Sequence, residues 1–199
     1  MYNRLLTFRK ARDIDDGIAY VREEAVPVLR SQHGYGGVFA SANRGGALLS
    51  ILSRWETEAD RAASDSALGK AREEVVKIVG GELTLEKLEE LALAVTKPPT
   101  PGCSLIATRL SMEPASIDEN LRYFKSEVLP VIKAQPGFCA LRNMMDRQTG
   151  RGLMGTVWET RKAMETYAEG LKERRAGAME RGIGFPETAY LEVLLVDTP

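Results

Sequence analysis

The sequence predicts an α+β protein made of two copies of one βαββαβ module, and three observations carry that prediction. Pro27, Gly34, Trp55, Glu56 and Thr57 return as Pro130, Gly137, Trp158, Glu159 and Thr160, each 103 positions later, and the stretches between align without a gap. A repeat of this length marks a duplicated structural unit. Within each copy, hydrophobic spacing also alternates between the strand period and the helix period in the same order. Finally, Lys97-Pro98-Pro99-Thr100-Pro101-Gly102 separates the copies, and its three prolines suit neither a helix nor a central strand. The expected organisation is a first module over residues 1–97, a linker over 98–102 and a second module over 103–199.

The first module opens with a strand over residues 4–9. Asp13, Asp15 or Asp16 then caps a helix whose apolar positions Ile18, Val21, Ala25, Val28 and Leu29 recur at helical spacing. Its counterpart runs from a strand over 104–110 into Ile117, Leu121, Phe124, Val128, Val131 and Ile132. Pro27 and Pro130 fall inside these helices, where each removes a hydrogen bond and bends the axis. Gly34 and Gly137 end them. Strands follow over 35–41 and 48–56, joined through Asn43-Arg44-Gly45-Gly46, and over 138–144 and 153–159, joined through 146–150. Asx and glycine residues between apolar strands are hairpin chemistry. Thr57 caps a helix reaching Val79, and Thr160 starts one reaching about Met179. Closing strands are expected over 91–96 and 190–196.

This order is the ferredoxin-like arrangement, an antiparallel sheet with both helices on one face. Apolar residues on both faces, as in Leu48, Leu49, Ile51 and Leu52, require the other face to be covered, with the second module as the nearest cover. A formal charge of -1, from 27 basic and 28 acidic residues, provides no field for nucleic acid or an anionic membrane. The run Lys172-Glu173-Arg174-Arg175 reads as a solvated helix face. Cys103 and Cys139 form no metal or redox pattern and read as small apolar packing groups. Charges interrupt every hydrophobic run before membrane-spanning length, so a cytoplasmic, reduced protein is expected.

At the P-x-x-x-x-x-x-G-[YF] stretch and the W-E-T stretch, the chain resembles the dimeric α+β barrel superfamily. Within it, the chain is most similar to antibiotic biosynthesis monooxygenase-like domains. Pro130, Pro136-Gly137-Phe138 and Val157-Trp158-Glu159-Thr160 carry the resemblance, as do Pro27, His33-Gly34-Tyr35 and Arg54-Trp55-Glu56-Thr57. The resemblance implies an intrachain version of the usual dimer, with a ligand pocket between a module's sheet and its helices; a further homodimer remains open. It also implies a range of activities, from cofactor-independent oxygenation of polycyclic phenols to haem degradation. The phenol-oxygenase pattern has asparagine four positions before the tryptophan, where this chain has Ile51 and Met154. The haem-ligating histidine would lie ten positions after it, where Asp65 and Ala168 stand. The fold carries over, and neither catalytic pattern does.

The candidate catalytic residues are Arg142 for anion stabilisation, Asn143 for orientation and Trp158 for aromatic stacking. Candidate substrate contacts are Tyr123, Phe138, Met145, Met154, Tyr167 and Trp55. Each tryptophan has two readings: a cavity wall for an aromatic ligand, or a core wedge between helix and sheet, with the wedge favoured. Gly152 and Gly155 leave room for a ligand or for a neighbour such as Met145. His33 is the only histidine, which excludes a multi-histidine metal site. It reads as an exposed turn residue first and a titrating pocket-edge residue second. The expected partner is a small aromatic or polyketide-like molecule, with no cofactor or metal. Three functions stay open: a monooxygenase-like enzyme, a non-catalytic binding or structural protein and, less favoured, a haem-binding protein.

Overall fold

A computed structural model describes residues 1–198. The first copy contains β1 (Tyr2–Arg9), α1 (Ile14–Tyr20), α2 (Val26–Arg30), β2 (Tyr35–Asn43), β3 (Leu48–Trp55), α3 (Glu58–Ala67), α4 (Gly69–Val79) and β4 (Glu82–Val95). The second repeats the order with β5 (Ser104–Ser111), α5 (Ile117–Tyr123), α6 (Leu129–Lys133), β6 (Phe138–Asp146), β7 (Arg151–Trp158), α7 (Arg161–Glu169), α8 (Leu171–Glu180) and β8 (Thr188–Asp197). Both copies follow the ferredoxin-like strand order, within a hydrogen-bonded series β1-β3-β2-β8-β5-β7-β6-β4 that closes on itself as a barrel.

Two compact units divide the chain: Met1–Leu88 together with the closing strand from Glu192, and Glu89–Leu191. In the first unit β3 pairs antiparallel with β1 and β2, and the C-terminal half of β8 adds to β2. Asp197 at its end accepts hydrogen bonds from Tyr35 Oη (2.8 Å) and from the Arg30 guanidinium. In the second unit β7 pairs with β5 and β6, and the part of β4 from Glu89 onward adds to β6. Each closing strand therefore contributes residues to both units.

Each proline falls in the first turn of a short α-helix rather than inside a continuous one. A π-helical turn, Val21–Ala25 or Phe124–Val128, precedes α2 or α6, and the first-turn placement of Pro27 and Pro130 tolerates their missing N–H. The second helix of each copy breaks where continuity was expected, at Leu68 and at Gly170. β4 starts nine residues before the expected strand, because Leu83 and Leu85 alternate with Glu82, Thr84 and Glu86 in a half-exposed strand. Gly137 adopts φ +77°, and a Cβ there would lie 2.7 Å from the Ala163 Cβ, so the turn needs glycine.

Thr57 caps α3 reciprocally. Its Oγ1 accepts the Asp60 N–H (3.1 Å), and Asp60 Oδ2 accepts the Thr57 N–H (3.1 Å). Thr160 Oγ1 likewise accepts the Ala163 N–H (3.1 Å), but alanine returns nothing. Thr57→Ala is expected to lower stability by about 1 kcal/mol; an unchanged urea midpoint would refute the cap's contribution. His33 is an exposed turn residue whose Nδ1 lies 2.7 Å from Asp60 Oδ1, and this carboxylate raises the imidazole pKa.

Candidate functional site

The second unit holds a partly open cavity of about 80 Å³ between its sheet and its helices. Strand alternation builds its floor: Asn143 and Met145 of β6 and Met154 of β7 share the face that looks toward the helices. Met145 lies directly across from Gly152, where a Cβ would sit 2.9 Å from its sulfur, so the glycine makes room for the methionine. Helices α5 and α6, with the π-turn between them, supply an apolar wall that includes Ile117, Phe124 and Ile132. The helix face 167, 171, 174, 175 and 178 closes the other side with Tyr167, Leu171, Arg174, Arg175 and Ala178.

Among the candidate residues, Tyr123, Asn143, Met145, Met154 and Tyr167 meet at this cavity. Trp158 and Phe138 lie behind its wall. The Trp158 indole is fully buried and stacks on Tyr167 (centroids 4.5 Å apart, planes at 27°), while Phe138 meets it edge-on at 5.8 Å. Trp55 occupies the matching core position of the first unit, edge-on to Tyr35 at 5.9 Å. In both copies the indole is a core wedge. Arg142 is not at the cavity. It directly precedes Asn143 on β6 and points from the opposite sheet face, where its Nε lies 3.0 Å from Glu90 Oε2. Consecutive strand residues cannot serve one pocket together.

Two cations at the cavity were hidden in a run that reads as a solvated face. The Arg174 Cζ lies 4.6 Å from the Tyr167 ring centroid, and its Nη1 donates to the Tyr167 carbonyl at 2.5 Å. Arg175 reaches inward, its Nη2 donating to Thr108 Oγ1 (2.8 Å) and its Cζ 4.7 Å from the Phe185 ring centroid. Burial lowers the Arg175 pKa and raises that of the Tyr167 hydroxyl, the two arginines opposing the second shift. Among the described residues, no carboxylate pairs with either arginine. The helical spacing from Tyr167 and Leu171 to Arg174 and Arg175 was the available signal.

Asn143 is 7% exposed, and its Oδ1 has no hydrogen-bond partner among the described residues. By contrast, Asn120, also at the cavity, is satisfied by Ser116, Met112 and Arg181. A buried acceptor without a donor costs about 1–3 kcal/mol. The cavity thus joins apolar walls, one unused acceptor and two cationic groups. No Asp, Glu or His lines it.

Among the described residues no three His, Cys, Asp or Glu side chains cluster as a metal site, and no helix is long and apolar enough to cross a membrane. Cys103 and Cys139 are buried free thiols, and burial pushes Cys139 up to about 11.

No family model matches the chain. Solved structures share its architecture. A candidate monooxygenase of Fusobacterium nucleatum superposes with TM-score 0.74 at 12% identity, over 99% of this chain and 94% of that one. An anthrone oxidase-like protein gives 0.71 at 16% identity, over 99% and 92%. These likenesses are of fold, since sequence identity is low throughout. The uncharacterized protein Rv2557 of Mycobacterium tuberculosis is 30% identical over 166 residues, which is 83% of this chain and 74% of the relative. The chain therefore belongs to the family that includes Rv2557.

Proposed function

We propose that the second-unit cavity binds a small hydroxylated aromatic or polyketide-like molecule and supports its monooxygenation. The observation that carries this reading is the unpartnered Asn143 Oδ1 within apolar walls, near two arginines without carboxylate partners. A ligand hydroxyl donates to Asn143, and one edge of the aromatic body enters the cavity, whose volume of about 80 Å³ leaves the rest of a polycycle at its open mouth. Arg174 and Arg175 favour the ligand's anion, since a cation in a poorly solvated site stabilises developing negative charge.

For an anthrone-type substrate, the ring CH2 loses a proton to solvent and the resulting anion passes one electron to O2. Recombination gives a hydroperoxide, which eliminates water to leave a ketone. One O2 thus supplies one ketone oxygen and one water, and the substrate supplies the electrons without an organic cofactor. The resemblance to an anthrone oxidase-like protein supports the choice of substrate class.

The test is oxygen uptake with 1,8-dihydroxyanthrone, which carries the hydroxyl donors and the oxidisable ring CH2, in air-saturated buffer, alongside ligand binding read by quenching of tyrosine and tryptophan fluorescence. The expected result is uptake above autoxidation that falls at least tenfold in Arg175→Met. Binding without uptake would establish the alternative of a non-catalytic binding protein, which the lack of a lining carboxylate or histidine favours. Absence of both would overturn the assignment.

A further inference from the structure

The first unit places a guanidinium where the second places an aromatic ring. Arg4 on β1 pairs with Ser53 across the sheet, and Ile106 on β5 pairs with Thr156 at the matching position. Facing them, Ser64 holds the helix position that corresponds to Tyr167. Trp158 therefore carries a stacked tyrosine, whereas Trp55 has the Arg4 Cζ 5.6 Å from its ring centroid.

Arg4 is 3% exposed and only partly satisfied. Its Nη2 donates to the Arg61 carbonyl (2.5 Å) and Ser64 Oγ (3.0 Å), and pairs with Asp65 Oδ1 at 2.8 Å. Its Nε and Nη1 have no hydrogen-bond partner among the described residues. Asp65 is shared with Arg72 (3.0 Å) and Lys87 (4.0 Å), leaving three cations around one carboxylate. Beside Arg4 lies a cavity of about 50 Å³, lined by Arg72 and Ser53 and walled by apolar residues including Val21, Leu68 and Val75. Burial works against the Arg4 charge, as its lowered pKa reflects.

We infer that the first-unit cavity is a binding site for a small monocarboxylate with a short apolar body, its carboxylate held by Arg4 and Arg72. A charge-assisted bond to the unused guanidinium donors would offset both their missing partners and the local excess of positive charge. The apolar walls select a carbon chain over an inorganic anion. This site is independent of the second-unit reading and uses none of its residues.

The test titrates the full chain with butyrate, with uncharged butyramide and with inorganic phosphate, following backbone amide shifts of Ser53, Ala71 and Val75 by NMR. Butyrate is expected to shift these amides at least tenfold more tightly than butyramide, and phosphate to leave them in place. Arg4→Met should abolish the butyrate response while the chain stays folded, since isoleucine fills the same position in the second copy. Equal responses to butyrate and butyramide would overturn the inference, as would phosphate binding as tightly as butyrate or an undiminished response in a folded Arg4→Met. If that variant does not fold, the comparison of probes on the unmodified chain decides the matter.

Discussion

Trp158→Ala is expected to lower stability by about 3–5 kcal/mol, the range for truncating a fully buried large aromatic. The indole is the centre of an aromatic group, with Tyr167 stacked at 4.5 Å and Phe138 edge-on at 5.8 Å, so its removal leaves both rings facing a void. It also strands the Thr156 hydroxyl that accepts the indole N–H at 3.1 Å. Tyr167 lines the second-unit cavity, so the same substitution should loosen that wall and weaken the proposed ligand binding. Guanidinium denaturation measures the first effect and fluorescence titration through the remaining tyrosines and Trp55 the second. A loss below about 1 kcal/mol would mean that the aromatic group is not a principal support of this core.

Asn143→Leu should act in the opposite direction on stability. The side chain is nearly isosteric, and the change removes a buried carbonyl oxygen that has no donor. The expected gain is about 1–2 kcal/mol, most of the cost of an unmet acceptor. Binding of a hydroxylated ligand should fall at least tenfold in the same variant. A residue that lowers stability while serving a ligand is the usual trade-off at a functional site. Reduced stability in Asn143→Leu would show that the amide supports the fold, and the proposed ligand contact would lose its basis.

The architecture was largely legible because the repeat provided two readings of every element. Weak signals in one copy borrowed strength from the other, as with the closing strand of the first copy. Its early residues 82–90 were harder to read, since four glutamates mask the leucine alternation of a half-exposed strand. The site was legible in part. Tyr123, Asn143, Met145, Met154 and Tyr167, named as candidates around the second copy's methionine-rich patch, line one cavity. Arg142 was misplaced because adjacency in sequence outweighed strand parity. Arg174 and Arg175 were missed because charge pointed to solvent, although long arginine side chains reach inward from a partly buried face.

The hydrogen bond from each tryptophan to the hydroxyl two residues earlier, Ser53 or Thr156, has a consequence for both copies. Because the indole N–H is satisfied by its own strand, neither copy relies on the opposing helices to meet that polar demand. The helical residues over the indole are thus free to differ between the copies, with Ser64 accepting from Arg4 in one and Tyr167 stacked on Trp158 in the other. A self-sufficient anchor thus accommodates unlike surroundings: a guanidinium beside one cavity and an aromatic stack beside the other.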